Sequence, residues 1–132
     1  VMYEYECVVR RWIDGDSCIC DISLGFDTWI CDQRIRLYGV DTPELRTRDS
    51  EIKKHALQAK KFVQDFVPTG EKVIIRTSKK GKFGRYLGDF KVKNRWLCKA
   101  LIAAYLAVPY EGQNKAEILE QHSENRKKLN AK

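Results

Sequence analysis

The sequence predicts a small, mainly β protein with helices: a five-stranded barrel of the OB type packed by three α-helices, one domain over residues 1–132. Five short stretches with strand-like alternation follow one another before residue 93. One helical stretch separates the third from the fourth, and two more helical stretches follow the fifth.

The first strand runs from Glu4 to Trp12, alternating around Tyr5, Cys7 and Val9. Asp14-Gly15-Asp16 is turn chemistry, and Ser17 to Leu24 forms the second strand with Cys18, Cys20 and Ile22 on one face. The short turn Gly25-Phe26-Asp27 makes a hairpin with the third strand, Thr28 to Tyr38. There Ile35 and Leu37 share one face while Arg34 and Arg36 share the other. An EF-hand starting at Asp14 is excluded, because its sixth position is Ile19 rather than glycine and its twelfth is Gly25 rather than glutamate.

After a polar loop from Leu45 to Asp49, the first helix opens with Asp49 or Ser50 as cap and Glu51 in its first turn. Ile52, Ala56, Ala59, Val63 and Phe66 give it one apolar face, and Pro68-Thr69-Gly70 ends it. Lys72 to Thr77 reads as the fourth strand, its Val73-Ile74-Ile75 run suggesting burial on both faces. A basic, glycine-bearing loop from Ser78 to Gly84 leads to the fifth strand, Arg85 to Val92. Asn94 is expected to cap a second helix with Leu97, Leu101, Ala104 and Val108 inward, broken by Pro109-Tyr110-Glu111-Gly112. Asn114 with Glu117 resembles a capping box and opens a highly charged last helix to about Leu129.

A 132-residue chain with 43% hydrophobic and 33% charged residues can bury a core of its own. No apolar run approaches the ~20 residues that span a bilayer, so no membrane partner is expected. The first residues show neither a basic nor an apolar leader region, and no signal peptide is expected. A net charge of +7 favours a polyanionic partner, although solubilising charge alone gives the same total. Five cysteines cannot all pair within the chain, and Cys18-Ile19-Cys20 matches no zinc spacing. They read as small apolar residues of a protein kept in a reducing, intracellular compartment. A monomer is expected.

The chemistry gathers in Arg36-Leu37-Tyr38-Gly39-Val40-Asp41-Thr42-Pro43-Glu44. The strand stops at Gly39, and Pro43 forces Thr42 into an extended conformation. Nine residues thus bring an arginine, an aspartate, a constrained threonine carbonyl and a glutamate to one strand end. Such a group can bind a hard cation, activate a water and hold an anion. Asp14-Gly15-Asp16-Ser17 and Lys82-Phe83-Gly84-Arg85 are the segments that could complete it.

Taken together, Asp14-Gly15-Asp16-Ser17, Arg36-Leu37 through Val40-Asp41-Thr42-Pro43-Glu44, and Lys82-Phe83-Gly84-Arg85-Tyr86-Leu87 resemble the staphylococcal nuclease family. The three motifs stand in the family's order at similar separations, and the tail ending Arg126-Lys127-Lys128-Leu129-Asn130 is similar too. The resemblance implies an OB barrel with three helices that hydrolyses DNA and RNA with calcium, magnesium being less favoured, and leaves 3′-phosphate ends. It implies Asp16 and Asp41 as carboxylate ligands of the cation, with Thr42 adding its backbone carbonyl and Asp14 standing behind them. Glu44 would hold or deprotonate the attacking water, and Arg36 and Arg85 would contact the scissile phosphate. Lys79, Lys80 and Lys82 would attract the nucleic-acid backbone, and Tyr110 looks like the family's base-stacking tyrosine.

The chain also departs from the pattern. Phe83 stands where the best-known member has a tyrosine, so it can stack but cannot donate that hydrogen bond. The loop from Leu45 to Asp49 is shorter and carries Arg46 and Arg48. A rival function is a catalytically silent OB module that only binds nucleic acid or protein. The joint presence of Asp16, Arg36, Asp41, Glu44 and Arg85 favours the enzyme, since a silent module has no need to keep all five.

Overall fold

The computed structural model describes residues 3–80 and 85–131, without the side chains of residues 78–80. In chain order its elements are β1 (Tyr3–Trp12), β2 (Ser17–Gly25), β3 (Thr28–Leu37), β4 (Val40–Asp41), α1 (Ser50–Phe66), β5 (Lys72–Lys80) and β6 (Tyr86–Val92). Then follow β7 (Arg95–Trp96), α2 (Leu97–Ala103), β8 (Val108–Pro109) and α3 (Lys115–Asn130). The main sheet runs β3-β2-β1-β5-β6-β7. β3 also pairs in parallel with β6, Ile35 opposite Tyr86 and Leu37 opposite Gly88, which closes the five long strands into a ring. This is the expected OB barrel with three helices.

Alternation along the strands decides what fills the ring. Cys7, Val9, Cys18, Cys20, Ile35, Leu37, Ile75 and Phe90 are all buried inside it. Each large apolar side chain among them contributes about 1.5–3 kcal/mol by leaving water. Trp12 stacks edge-on against Phe90, ring centroids 5.7 Å apart, and its Nε1 donates to the Val67 carbonyl at 3.1 Å. That bond satisfies the indole while locking the end of α1 to the barrel. Along α1, Ala56, Ala59 and Val63 are buried as expected, and His55 joins them. Asp49 is the cap, its Oδ1 accepting from the amides of Glu51 and Ile52 at 2.9 and 3.2 Å. Asn114 caps α3 by accepting from the Glu117 amide at 2.9 Å.

Three expectations need correction. Asn94 does not cap a helix: with Lys93 it occupies a two-residue turn between β6 and β7, both at positive φ (65° and 51°). Paired positive-φ residues match the twist of the flanking strands, and asparagine tolerates that conformation. The second helix is therefore short and starts at Leu97. Val108 also lies off it, because the left-handed Tyr105 (φ 61°) turns the chain out and Val108–Pro109 becomes β8, paired with β4. Leu97, Leu101 and Val108 are nevertheless all buried, and burial alone gave them a helical look. Burial of β5 on both faces is only partial, with Val73 and Ile75 buried and Ile74 half-buried.

Cys7, Cys18, Cys20 and Cys98 are buried free thiols, whereas Cys31 is exposed. Burial pushes the Cys18 and Cys98 thiols upward, keeping them neutral like small apolar groups. Among the described residues no helix is long and apolar enough to cross a membrane.

Candidate active site

Barrel closure brings distant motifs together. The turn between β1 and β2 folds back on itself, the Asp14 carboxylate accepting from the Asp16 amide at 3.0 Å. It is tied to the end of β3 by the Leu37 amide, which donates to the Asp16 carbonyl at 2.8 Å. Gly15 makes this docking possible. A Cβ there would meet the Ala59 Cβ at 2.9 Å and the Thr42 Oγ1 at 3.0 Å. Gly15→Ala should therefore lower stability by about 1–3 kcal/mol through overpacking, read by urea unfolding. An unchanged midpoint would mean that α1 yields at Ala59.

Around this turn the carboxylates converge on Arg36. Its Nη1 lies 3.2 Å from Asp16 Oδ2, and its Nη2 lies 3.4 Å from Asp41 Oδ1. The same guanidinium donates from Nη1 to the carbonyls of Leu37 and Val40, at 3.2 and 2.9 Å, so its plane is fixed by the bend it spans. Asp16 is buried, and its Oδ2 also accepts from the Thr42 amide at 3.1 Å. Thr42 thus meets the cluster through its N–H, while the carbonyl named from the resemblance has no hydrogen-bond partner among the described residues. Burial, and then the neighbouring Asp16 carboxylate, push the Asp14 carboxyl up to about 6. The group is crowded with negative charge.

Asp14, Asp16, Arg36, Asp41, Glu44, Arg85 and Tyr110 line one cleft of about 1160 Å³. Parallel pairing sets Leu87 beside Arg36, with Arg85 on the same side of β6. Arg85 is half-buried and Glu44 exposed, and neither has a hydrogen-bond or ion-pair partner among the described residues. Tyr110 is exposed at the rim, where its amide donates to the Gly39 carbonyl at 2.8 Å. Lys82, Phe83 and the side chains of Lys79 and Lys80 lie outside the described residues.

Several residues lining the cleft were missed from sequence. Tyr38 stands at its edge, and Lys115, Ile118 and Leu119 of α3 form one wall. His122, four residues after Ile118 on α3, donates from Nε2 to Asp41 Oδ2 at 2.9 Å. The available signal was a histidine at an inward position of a charged helix, in register with Ile118 and Leu129.

Two convergent carboxylates and the carbonyls around them make a hard, all-oxygen donor set, the kind that calcium takes. Among the described residues no three His, Cys, Asp or Glu side chains gather as a metal cluster, so a cation would need main-chain oxygen or water to complete its shell. The staphylococcal nuclease homologue family matches residues 34–131. A search of curated proteins found no match. The family match contains Arg36, Asp41, Thr42, Glu44, Arg85 and Tyr110. Asp14 and Asp16 precede it and join the cleft by geometry. With most of its length matched and its strands closed into an OB barrel, this chain belongs to the staphylococcal nuclease homologue family, a nuclease-type or nucleic-acid-binding module.

Proposed function

We propose that the chain is a calcium-dependent nuclease that hydrolyses phosphodiester bonds of DNA or RNA with little sequence preference and leaves 3′-phosphate ends. The observation that carries this reading is the single guanidinium of Arg36 bridging Asp16 and Asp41 in a cleft that also presents Glu44 and Arg85. Among the described residues lining the cleft, carboxylates outnumber cationic side chains: Asp14, Asp16, Asp41 and Glu44 face Arg36, Arg85 and Lys115. Like charges about 4 Å apart repel by roughly 1 kcal/mol in water and ~4 kcal/mol near a protein surface. A phosphate anion entering such a cluster gains little unless a further positive charge enters with it.

Asp16 and Asp41, with the Thr42 carbonyl, are the residues that would hold the divalent cation. When bound, the cation polarises a phosphoryl oxygen and makes water more acidic. Asp14 stands behind Asp16 and fixes the turn through its bond to the Asp16 amide. Glu44, exposed and unpaired among the described residues, would orient the water and take its proton as it attacks phosphorus. Arg36 and Arg85 hold the phosphoryl oxygens, where planar permanently charged donors match the charge that builds up. Breaking the P–O5′ bond leaves the phosphate on the 3′ oxygen, and the departing 5′ oxygen takes a proton from water to become a hydroxyl. Tyr110 offers a ring to a nucleobase at the rim.

The silent binding module retains one favouring observation: Arg36 pairs with both aspartates from within the chain. Incubating the chain with labelled DNA and RNA in calcium, magnesium or excess chelator separates the two. The proposal expects cleavage in calcium, none in chelator, and products that lose a 3′-phosphate to phosphatase. Undiminished cleavage in chelator overturns the cation assignment. Firm binding without turnover in any metal gives the case to the silent module.

A further inference from the structure

α3 carries one buried side chain among the described residues, and it is polar. His122 is 3% exposed, while Lys115, Leu119 and most of the helix face solvent. A helix of this kind docks through an apolar stripe when docking is its only task. Here the buried position goes instead to an imidazole whose Nε2 meets Asp41 Oδ2 at 2.9 Å. A carboxylate accepts, so the proton lies on Nε2 and the donor is His122.

The ring itself is held from behind. His55 of α1 packs against it edge to face, with centroids 5.9 Å apart. His55 in turn donates from Nε2 to the Tyr105 carbonyl at 2.8 Å. Tyr105 sits at positive φ (61°) where the chain leaves α2, so its carbonyl direction is set by a backbone conformation that a tyrosine rarely adopts. Each imidazole keeps a buried Nδ1 with no hydrogen-bond partner in the described structure. A leucine or phenylalanine at either place would avoid that cost. The fold keeps two orphaned nitrogens and one strained residue, and α1, α3 and the turn that follows α2 together build the arrangement that ends on Asp41.

We infer that His122 is a positioning residue for Asp41, fixing the carboxylate from the α3 side while Arg36 holds its other oxygen, and that it thereby latches the α3 wall of the cleft to the cation site. The inference rests on the reading of Asp41 as a cation ligand. A carboxylate fixed at both oxygens is ordered before the cation arrives, and groups that orient a metal ligand in this way commonly set 10–100-fold of the affinity. By linkage, whatever tightens Asp41 also tightens the docking of α3, which brings Lys115, Ile118 and Leu119 to the cleft.

The test is calcium titration of the full chain by calorimetry, with amide exchange of α3 measured with and without calcium. His122→Phe keeps the ring that packs on His55 but removes the donor. It should melt near the unaltered protein, bind calcium about 10-fold or more weakly, and lose the calcium-dependent protection of residues 115–122. His122→Gln keeps a donor and should recover most of the affinity. Should His122→Phe not fold, His122→Leu carries the same comparison. Unchanged affinity and exchange in the donor-less variant overturn the inference, as does a His122→Gln no better than His122→Phe. An unaltered chain that takes up no calcium overturns the cation reading itself, which is a different result from calcium binding that ignores His122.

Discussion

Glu44→Gln is expected to leave the chain folded and able to bind calcium and oligonucleotide while lowering turnover by about 10²-fold or more, the usual scale for loss of a general base. The side chain is exposed on the cleft and has no partner among the described residues, so the fold owes it little. Glutamine keeps size and hydrogen-bonding capacity but cannot take a proton from water. Asp41→Asn should behave differently. Asp41 is tied to Arg36 and His122, and its charge belongs to the proposed cation site. Its loss should weaken calcium binding together with turnover. Calcium titration, oligonucleotide binding and single-turnover cleavage on both variants give the contrast. Equal and small effects of both changes on turnover would sink the assignment.

The parts of this site that could be read from the sequence are the local ones. Ile35 and Leu37 alternate with Arg34 and Arg36 because strand periodicity is written into neighbours, and burial follows it. Asp49 and Asn114 cap helices for reasons that lie within three residues. The motif order then suggested that the β1–β2 turn and the end of β3 meet, which the Leu37 amide bond to the Asp16 carbonyl accomplishes.

What stayed hidden depends on contacts made across the fold. His122 and Asp41 are 81 residues apart, and nothing near either one announces the other. Gly15 looked like a turn glycine, yet its small size matters because Ala59 of α1 and Thr42 press on it. The helix expected to reach Val108 failed for a related reason. Leu97, Leu101 and Val108 are buried together, but by a helix and a two-residue strand joined through left-handed Tyr105. Periodicity reports burial and cannot by itself say which backbone delivers it.

Arg85→Lys should lower turnover by about 10²-fold or more although the charge is kept. Arg85 directly precedes β6, the strand whose parallel pairing with β3 closes the barrel, so its backbone is held by the ring. Arg85 is half-buried on the cleft wall, with no ion-pair partner among the described residues to occupy its guanidinium. A planar fork in that place can grip two phosphoryl oxygens at once, and the grip strengthens as the phosphorus gains oxygen in the transition state. An ammonium offers a compact charge without that geometry, so it should preserve attraction for the substrate better than it preserves rate. The expected pattern is a fall in kcat with a modest change in KM, and a melting temperature within a few degrees of the unaltered protein. Arg36→Lys should be less selective. Arg36 also holds Asp16, Asp41 and the carbonyls of Leu37 and Val40, so its loss should cost stability as well as rate. A near-native kcat in Arg85→Lys would make Arg85 a surface charge and leave Arg36 alone to meet the phosphate.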